Sequence, residues 1–282
     1  MRRLGVHTSI AGGLHTSLER AKTLGCSTLQ IFSHNPRSWA VRELSANETE
    51  LFRRVRYQLD ISPVYIHTSY LINIATHDSI LRERSLSLLI AEMDRADTIG
   101  ADYVILHTGS AKEELKADSQ KRAVSVLNDV SEHRKWNAKL LLENTAGERG
   151  DISSAIEDLA LIMHGTKGDL IGGVCIDTCH LFAAGYDIRK KNVVKDFLET
   201  LYKIIGPGQV KCIHLNDARG SVGCHLDRHE HIGKGKIGTR GLQQFICERS
   251  FRTVPVILET PKKNESDDPM NLRKVRRMIK TQ

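Results

Sequence analysis

Eight short apolar runs, separated by turn residues and longer stretches of helical periodicity, divide the chain. The runs are Leu4–His7, Thr28–Phe32, Val64–His67, Tyr103–His107, Lys139–Glu143, Gly173–Asp177, Val210–His214 and Val256–Glu259. Helical patterns lie between them at Leu14–Leu24, Glu48–Leu59, Ile80–Ile99, Ala123–Arg134, Ile156–Met163 and Val193–Ile205. Ser45 with Glu48, and Ser154 with Glu157, have the spacing of a capping box, while Gly25 and Gly100 follow two helix ends. Strands separated by helices must pair in parallel, because a parallel crossover needs a dozen or more residues. Runs such as YVILH and KLLLE are apolar throughout, as suits strands covered on both faces. Eight such units in 282 residues fit one α/β domain, a (β/α)8 TIM barrel over residues 1–282. An open dinucleotide-binding sheet fits less well, since no glycine-rich fingerprint follows the first run.

Composition narrows the function classes. No window approaches the 18 or so uninterrupted apolar residues of a membrane span. The N-terminal MRRLGVHTSIAGG reads as a first strand rather than a signal peptide, so a cytoplasmic location is expected. The six cysteines form no CxxC pair and read as reduced, partly buried residues rather than metal ligands. A net charge of +7 suits a polyanionic partner. The densest basic run, Arg273, Lys274, Arg276, Arg277 and Lys280, lies in a predicted terminal helix and reads as a solvated face.

The third to eighth runs end, in order, in His67, His107, Glu143, Asp177, His214 and Glu259. Barrel active sites form where strand C-termini converge. Six buried polar groups facing one cavity would be severely desolvated without a compensating cation. Three loop residues can join them: His180 in IDTCH at the turn out of the sixth run, and Asp227 and His229, which point the same way if the backbone is extended. His225 and His231 compete with His229 on spacing alone. Imidazole and carboxylate ligands suit zinc, with manganese or iron as alternatives, and nine ligands at about three per ion accommodate three ions. Such a cluster is net positive and suits phosphodiester hydrolysis. A sugar isomerase would use only Glu143, Asp177, His214 and Glu259, leaving the other five residues unexplained. A non-enzymatic DNA-binding protein would leave all of them unexplained.

The segments GVCIDTCHLFAAGYD (173–187), HLNDA (214–218), DRHEHIGKGKIG (227–238), LLENTAG (141–147) and LET (258–260) resemble the endonuclease IV family of apurinic/apyrimidinic endonucleases. The resemblance runs in order through nearly the whole chain. It implies three zinc ions, with manganese able to take one or more positions. His67, His107 and Glu143 would hold the first. Glu143 would bridge to a second, held also by Asp177, His214 and Glu259, and His180, Asp227 and His229 would hold the third. It implies Glu143 as the catalytic ligand and a metal-activated hydroxide that cuts 5′ to an abasic site, leaving a 3′-hydroxyl and a 5′-deoxyribose phosphate. The implied partner is double-stranded DNA containing abasic sites, bound by a monomer. SHNPRSW (33–39) and HTSYLIN (67–73) resemble the segments that read the lesion, with Asn35, Arg37, Tyr70 and Leu71 as contacts. From the residues alone, Tyr70 and Leu71 could instead open a helix and pack in the core. Ser38 and Thr108 depart from the family, which often has Gln and Pro there. The glycine-rich IGKGKIG (232–238) reads as a loop shaping the metal pocket, with Lys234 and Lys236 free for DNA phosphates. His7, Asn144 and Asn216 are candidate partners that orient the ligands.

Overall fold

The computed structural model describes residues 2–112 and 114–280. Eight parallel strands form the barrel: β1 (Leu4–Val6), β2 (Leu29–Ile31), β3 (Val64–His67), β4 (Tyr103–Leu106), β5 (Lys139–Glu143), β6 (Ile171–Asp177), β7 (Val210–His214) and β10 (Val256–Leu258). They pair in the order β1-β10-β7-β6-β5-β4-β3-β2. A parallel bridge between His7 and Gln30 joins the two ends, and Thr8 N donates to Gln30 O at 2.8 Å. Backbones approach so closely at this seam that a Cβ on Gly5 would lie 2.0 Å from Thr28 O.

All eight expected strands and all six helices are present, with ends moved by a few residues. Helices α1 (Leu14–Thr23), α2 (Ala46–Leu59), α3 (Ser79–Ile99), α5 (Ile156–Gly165) and α7 (Lys191–Ile204) stay close to expectation, while α4 (Lys116–His133) begins seven residues early. The Ser45–Glu48 capping box is formed reciprocally. The second is corrected by one residue: Ala155 caps α5, and its N–H donates to Asp158 Oδ2 at 3.0 Å. Gly100 takes the left-handed conformation at the end of α3, with φ 71°.

Two apolar layers hold the barrel. One face of the strands, including Val64, Val104, Leu140, Val174, Ile213 and Val256, joins the helices in the main core. The alternate face carries a separate cluster: Tyr65, Ile105, Leu141, Cys175, Cys212 and Ile257. That cluster plugs the barrel.

The long stretch 216–239 is not irregular throughout. It contains an antiparallel ribbon, β8 (Asp217–Ala218) with β9 (His229–Glu230). Short helix α6 (Thr178–Ala183), helix α8 (Gly238–Ile246) and terminal helix α9 (Asp267–Lys280) complete the elements used below. The basic run on α9 is only partly a solvated face: Lys274 donates to Ile232 O, and Arg276 to Leu24 O and Gly25 O.

Candidate metal centre

The period of a β-strand builds the site. Each member of the barrel plug is followed two residues later by a candidate ligand: Tyr65 by His67, Ile105 by His107, Leu141 by Glu143, Cys175 by Asp177, Cys212 by His214 and Ile257 by Glu259. Residues two apart point to the same side of a strand, so the six form a polar layer directly above an apolar one. The apolar floor excludes water from beneath and fixes the height of the layer.

Glu143 is at its centre and is fully buried. Its Oε2 lies 3.2 Å from His67 Nε2 and 3.0 Å from His107 Nε2. Its Oε1 lies 2.8 Å from His214 Nδ1, which is also 3.2 Å from Glu259 Oε2. On the far side, Asp227 lies 3.3 Å from His180 Nε2 and 3.2 Å from His229 Nε2. Of five groups among the described residues whose potential ligand atoms fall within 4.8 Å of one another, two include cysteine (Cys175, Cys212 and His214; Asp177, Cys179 and His229) and three are imidazole and carboxylate alone: His67, His107 and Glu143; Glu143, Asp177, His214 and Glu259; and His180, Asp227 and His229. They line or underlie a cleft of about 400 Å³ whose rim includes Phe32, Tyr70, Arg228 and Lys262.

Local folding delivers the loop candidates. His180 is placed by α6 rather than by a turn: Asp177 caps that helix, its Oδ1 accepting from His180 N at 2.8 Å. His229 is carried in on β9. His225 and His231, open competitors on spacing, are turned elsewhere. His231 Nδ1 meets Asn271 Nδ2 at 3.1 Å, and His225 packs beside Gly147.

The donor set fits metal ions, as the orientation of the imidazoles shows. One ring nitrogen of each of three histidines faces a backbone carbonyl: His67 Nδ1 to Thr68 O at 3.0 Å, His180 Nδ1 to Asn144 O at 2.8 Å and His229 Nδ1 to Glu259 O at 3.1 Å. Each leaves Nε2 aimed into the site, as a second-sphere carbonyl orients a metal-binding histidine. The Nε2 atoms of His107, His180 and His229 are buried 3.0 to 3.3 Å from carboxylate oxygens of Glu143 and Asp227, yet none has hydrogen-bond geometry. Buried polar atoms are rarely left so.

The electrostatics agree. Burial alone would raise the Glu143 carboxyl, but the His214 and His107 imidazoles outweigh it and hold it well below the usual range. Burial likewise opposes charge on His180, yet Asp177 and Asp227 raise it well above normal. His229 is raised to about 9 because Asp177 and Asp227 overcome its desolvation. A field that keeps protons on these rings equally favours divalent cations in their place.

Supporting residues include one that the sequence did not single out. Gln30 sits in the apolar run of β2, and its Oε1 takes the Nε2 side of His214 at 2.7 Å while its Nε2 donates to Glu259 Oε1 at 2.5 Å. His214 Nδ1 is thereby presented to the carboxylates. The only sequence signal was a lone amide within LQIF. Asn144 Oδ1 accepts from Asp177 N at 2.8 Å, and Asn216 Nδ2 donates to Asp177 Oδ2 at 2.6 Å. His7 meets Gln30 Nε2 at 3.0 Å. The thiols take other roles. Cys175 and Cys212 belong to the plug, whereas Cys179 points its Sγ at Arg228 O at 3.7 Å and burial pushes its thiol far up.

At the rim, Asn35, Arg37 and Tyr70 are exposed and Leu71 is half-buried. Tyr70 and Leu71 open no helix, and Tyr70 stands edge-on to Phe32 with ring centroids 5.1 Å apart. Ser38 closes a small turn with Ala40, while Thr108 is buried and donates to Ser153 Oγ at 2.9 Å. The IGKGKIG loop does not line the cleft; it cradles a carboxylate of the chain itself. The N–H groups of Gly233 and Gly235 donate to Asp217 Oδ2, and those of Ile237 and Gly238 to Oδ1, at 2.9 to 3.2 Å.

Fold and ligand layer together define a xylose isomerase-like TIM barrel, and the model of that family matches residues 18–282. Two relatives named probable endonuclease 4 are similar along their length. That of Halothermothrix orenii is 39% identical over 96% of this chain and 97% of its own, and that of Methanoculleus marisnigri 37% over 98% of each. The crystal structure of endonuclease IV from Thermus thermophilus superposes with a TM-score of 0.88 at 35% identity, covering 99% of this chain and all of that one. The chain therefore belongs to the endonuclease IV family, a family of hydrolytic nucleases. A D-tagatose 3-epimerase-like protein, at 19% identity and a TM-score of 0.74, shares the fold alone.

Proposed function

We propose that the chain is a DNA-repair endonuclease that hydrolyses the phosphodiester 5′ to an abasic site, leaving a 3′-hydroxyl and a 5′-deoxyribose phosphate. The observation that carries this reading is the convergence of five imidazoles and four carboxylates into three adjoining groups, in two of which buried Nε2 atoms lie beside a carboxylate without hydrogen-bond geometry. In this reading His67, His107 and Glu143 hold one divalent ion. Glu143, Asp177, His214 and Glu259 hold a second, and His180, Asp227 and His229 a third. Zinc suits this donor set, and manganese can replace it at one or more positions. Bound ions supply Lewis-acid charge and lower the pKa of water to about 7.

The chain's own residues do the rest. Glu143 sits between two of the groups and keeps its charge under burial, so it is the residue through which they communicate. Gln30 and Asn216 hold the surrounding rings and carboxylates in orientation. The apolar plug keeps water out from below. Asn35 and Arg37 offer polar contacts to a DNA backbone, and Tyr70 with Leu71 offers an aromatic and apolar wedge at the point where a base is missing. Lys234 and Lys236 are exposed on the same loop and available to phosphates. The chain would work as a monomer in the cytoplasm. No described helix is long and apolar enough to cross a membrane.

The Glu143, Asp177, His214 and Glu259 group by itself would suit a sugar epimerase, but it leaves His67, His107, His180, Asp227 and His229 without a task. Incubation with a duplex containing one abasic-site analogue, followed by end-group analysis, separates the readings. Cleavage with a 3′-hydroxyl supports the nuclease; a β-elimination end, or no cut, would sink it.

A further inference from the structure

One face of α3 serves the rim rather than the barrel. Arg84, Leu88, Glu92 and Arg95 recur at spacings of four, four and three, which places them in one stripe along the helix. Every polar member of that stripe touches the loops that follow β2 and β3. The Arg84 guanidinium lies 4.2 Å over the Trp39 ring. Arg95 donates to Ser33 Oγ at 3.1 Å, to Ser33 O at 2.5 Å and to Arg42 O at 2.7 Å.

Glu92 joins the two loops. It is 1% exposed, and its Oε1 meets His34 Nε2 at 2.8 Å and accepts from Ser69 N at 2.9 Å. Ser69 Oγ then reaches back to Pro36 O at 2.7 Å. One carboxylate oxygen thus fastens His34, one residue before Asn35, to Ser69, one residue before Tyr70. Glu92 Oε2 and His34 Nδ1 are buried without hydrogen-bond partners. A buried carboxylate is weak evidence for stability, and both bonds of this one join two loops. It makes sense as a device that sets geometry.

We infer that Glu92 is a positioning residue that locks the β2 and β3 loops into one rigid reading edge at the rim of the metal site. It touches neither substrate nor metal; it acts through His34 and Ser69 on where Asn35, Arg37 and Tyr70 stand. The inference rests on the nuclease reading of the site. Contacts that must be ordered on binding weaken affinity, so a loosened edge is read in KM.

The test uses the full metal-loaded chain and a duplex carrying one tetrahydrofuran abasic-site analogue. Glu92→Ala should raise KM by roughly tenfold, with kcat within about twofold and metal content unchanged. Glu92→Gln, which keeps an acceptor oxygen for Ser69 N, should restore most of the loss. His34→Ala reports on the same contact if Glu92→Ala does not fold, and should also raise KM alone. A fall in kcat with KM unchanged, or a Gln variant no better than Ala, overturns the inference while leaving the nuclease reading intact. No cleavage by the unaltered chain overturns both.

Discussion

Asn216 spans two of the carboxylates: its Nδ2 donates to Asp177 Oδ2 at 2.6 Å and reaches Glu259 Oε2 at 3.5 Å, while its Oδ1 accepts from the Glu259 backbone N–H at 2.9 Å. Partners of this kind orient ligands, and losing one typically weakens metal binding about 10- to 100-fold. Asn216→Ala should therefore lower metal affinity by that factor in a buffered-zinc titration; an unchanged affinity would show that the carboxylates need no support. Glu143→Gln removes the central charge on which His67, His107 and His214 converge. Cleavage of an abasic duplex should fall by at least about a thousandfold, while a gel-shift assay still detects binding through the rim. Protons report on the same groups. With its folded pKa raised to about 9, His229 is protonated below that pH unless a cation replaces the proton. Metal loading at pH 7 should release protons, and apparent affinity should climb as pH rises towards 9. Calorimetry in buffers of different ionisation enthalpy measures this, and a buffer-independent heat would contradict it.

At the scale of elements, the Asp217 cradle ties β8 to the loop entering α8. Its geometry needs glycine at 235, where a Cβ would lie 2.4 Å from Ala218 O and 2.5 Å from Asp217 Oδ1. Gly235→Ala should cost about 1–3 kcal/mol, read as a drop in the chemical-denaturation midpoint, and should loosen the wall that carries His229. A wild-type midpoint would mean that the loop relaxes freely. The cradle also marks where sequence reasoning stopped. The strands were legible because burial on both faces leaves continuous apolar runs, and the six strand-end candidates because each polar residue closes such a run. Neither signal extends to the loops. The glycine run said that backbone N–H groups were available but not that Asp217 would take them. Spacing could not separate His229 from His225 and His231, since only the β8–β9 ribbon decides which ring faces Asp227. Gln30 and Glu92 were hidden for a different reason: each partners a group far away in sequence, His214 for Gln30 and His34 for Glu92.

At the scale of the whole molecule, the barrel is a rigid scaffold whose apolar plug and polar crown share the same strands. The crown concentrates imidazoles and carboxylates whose charge bound ions would offset. Removing the ions should therefore leave the barrel folded but less stable, because a ligand bound only by the folded state stabilises it by mass action. Chelation should lower the Tm and abolish cleavage, and added zinc should restore both. The central claim, however, concerns how many ions the crown holds. Metal content of the purified chain, counted by inductively coupled plasma mass spectrometry beside the His229→Ala variant, tests it most directly. The account predicts about three ions per chain, one for each of the three imidazole-carboxylate groups, and about two in the variant. A single ion per chain, unchanged by loss of His229, would contradict it.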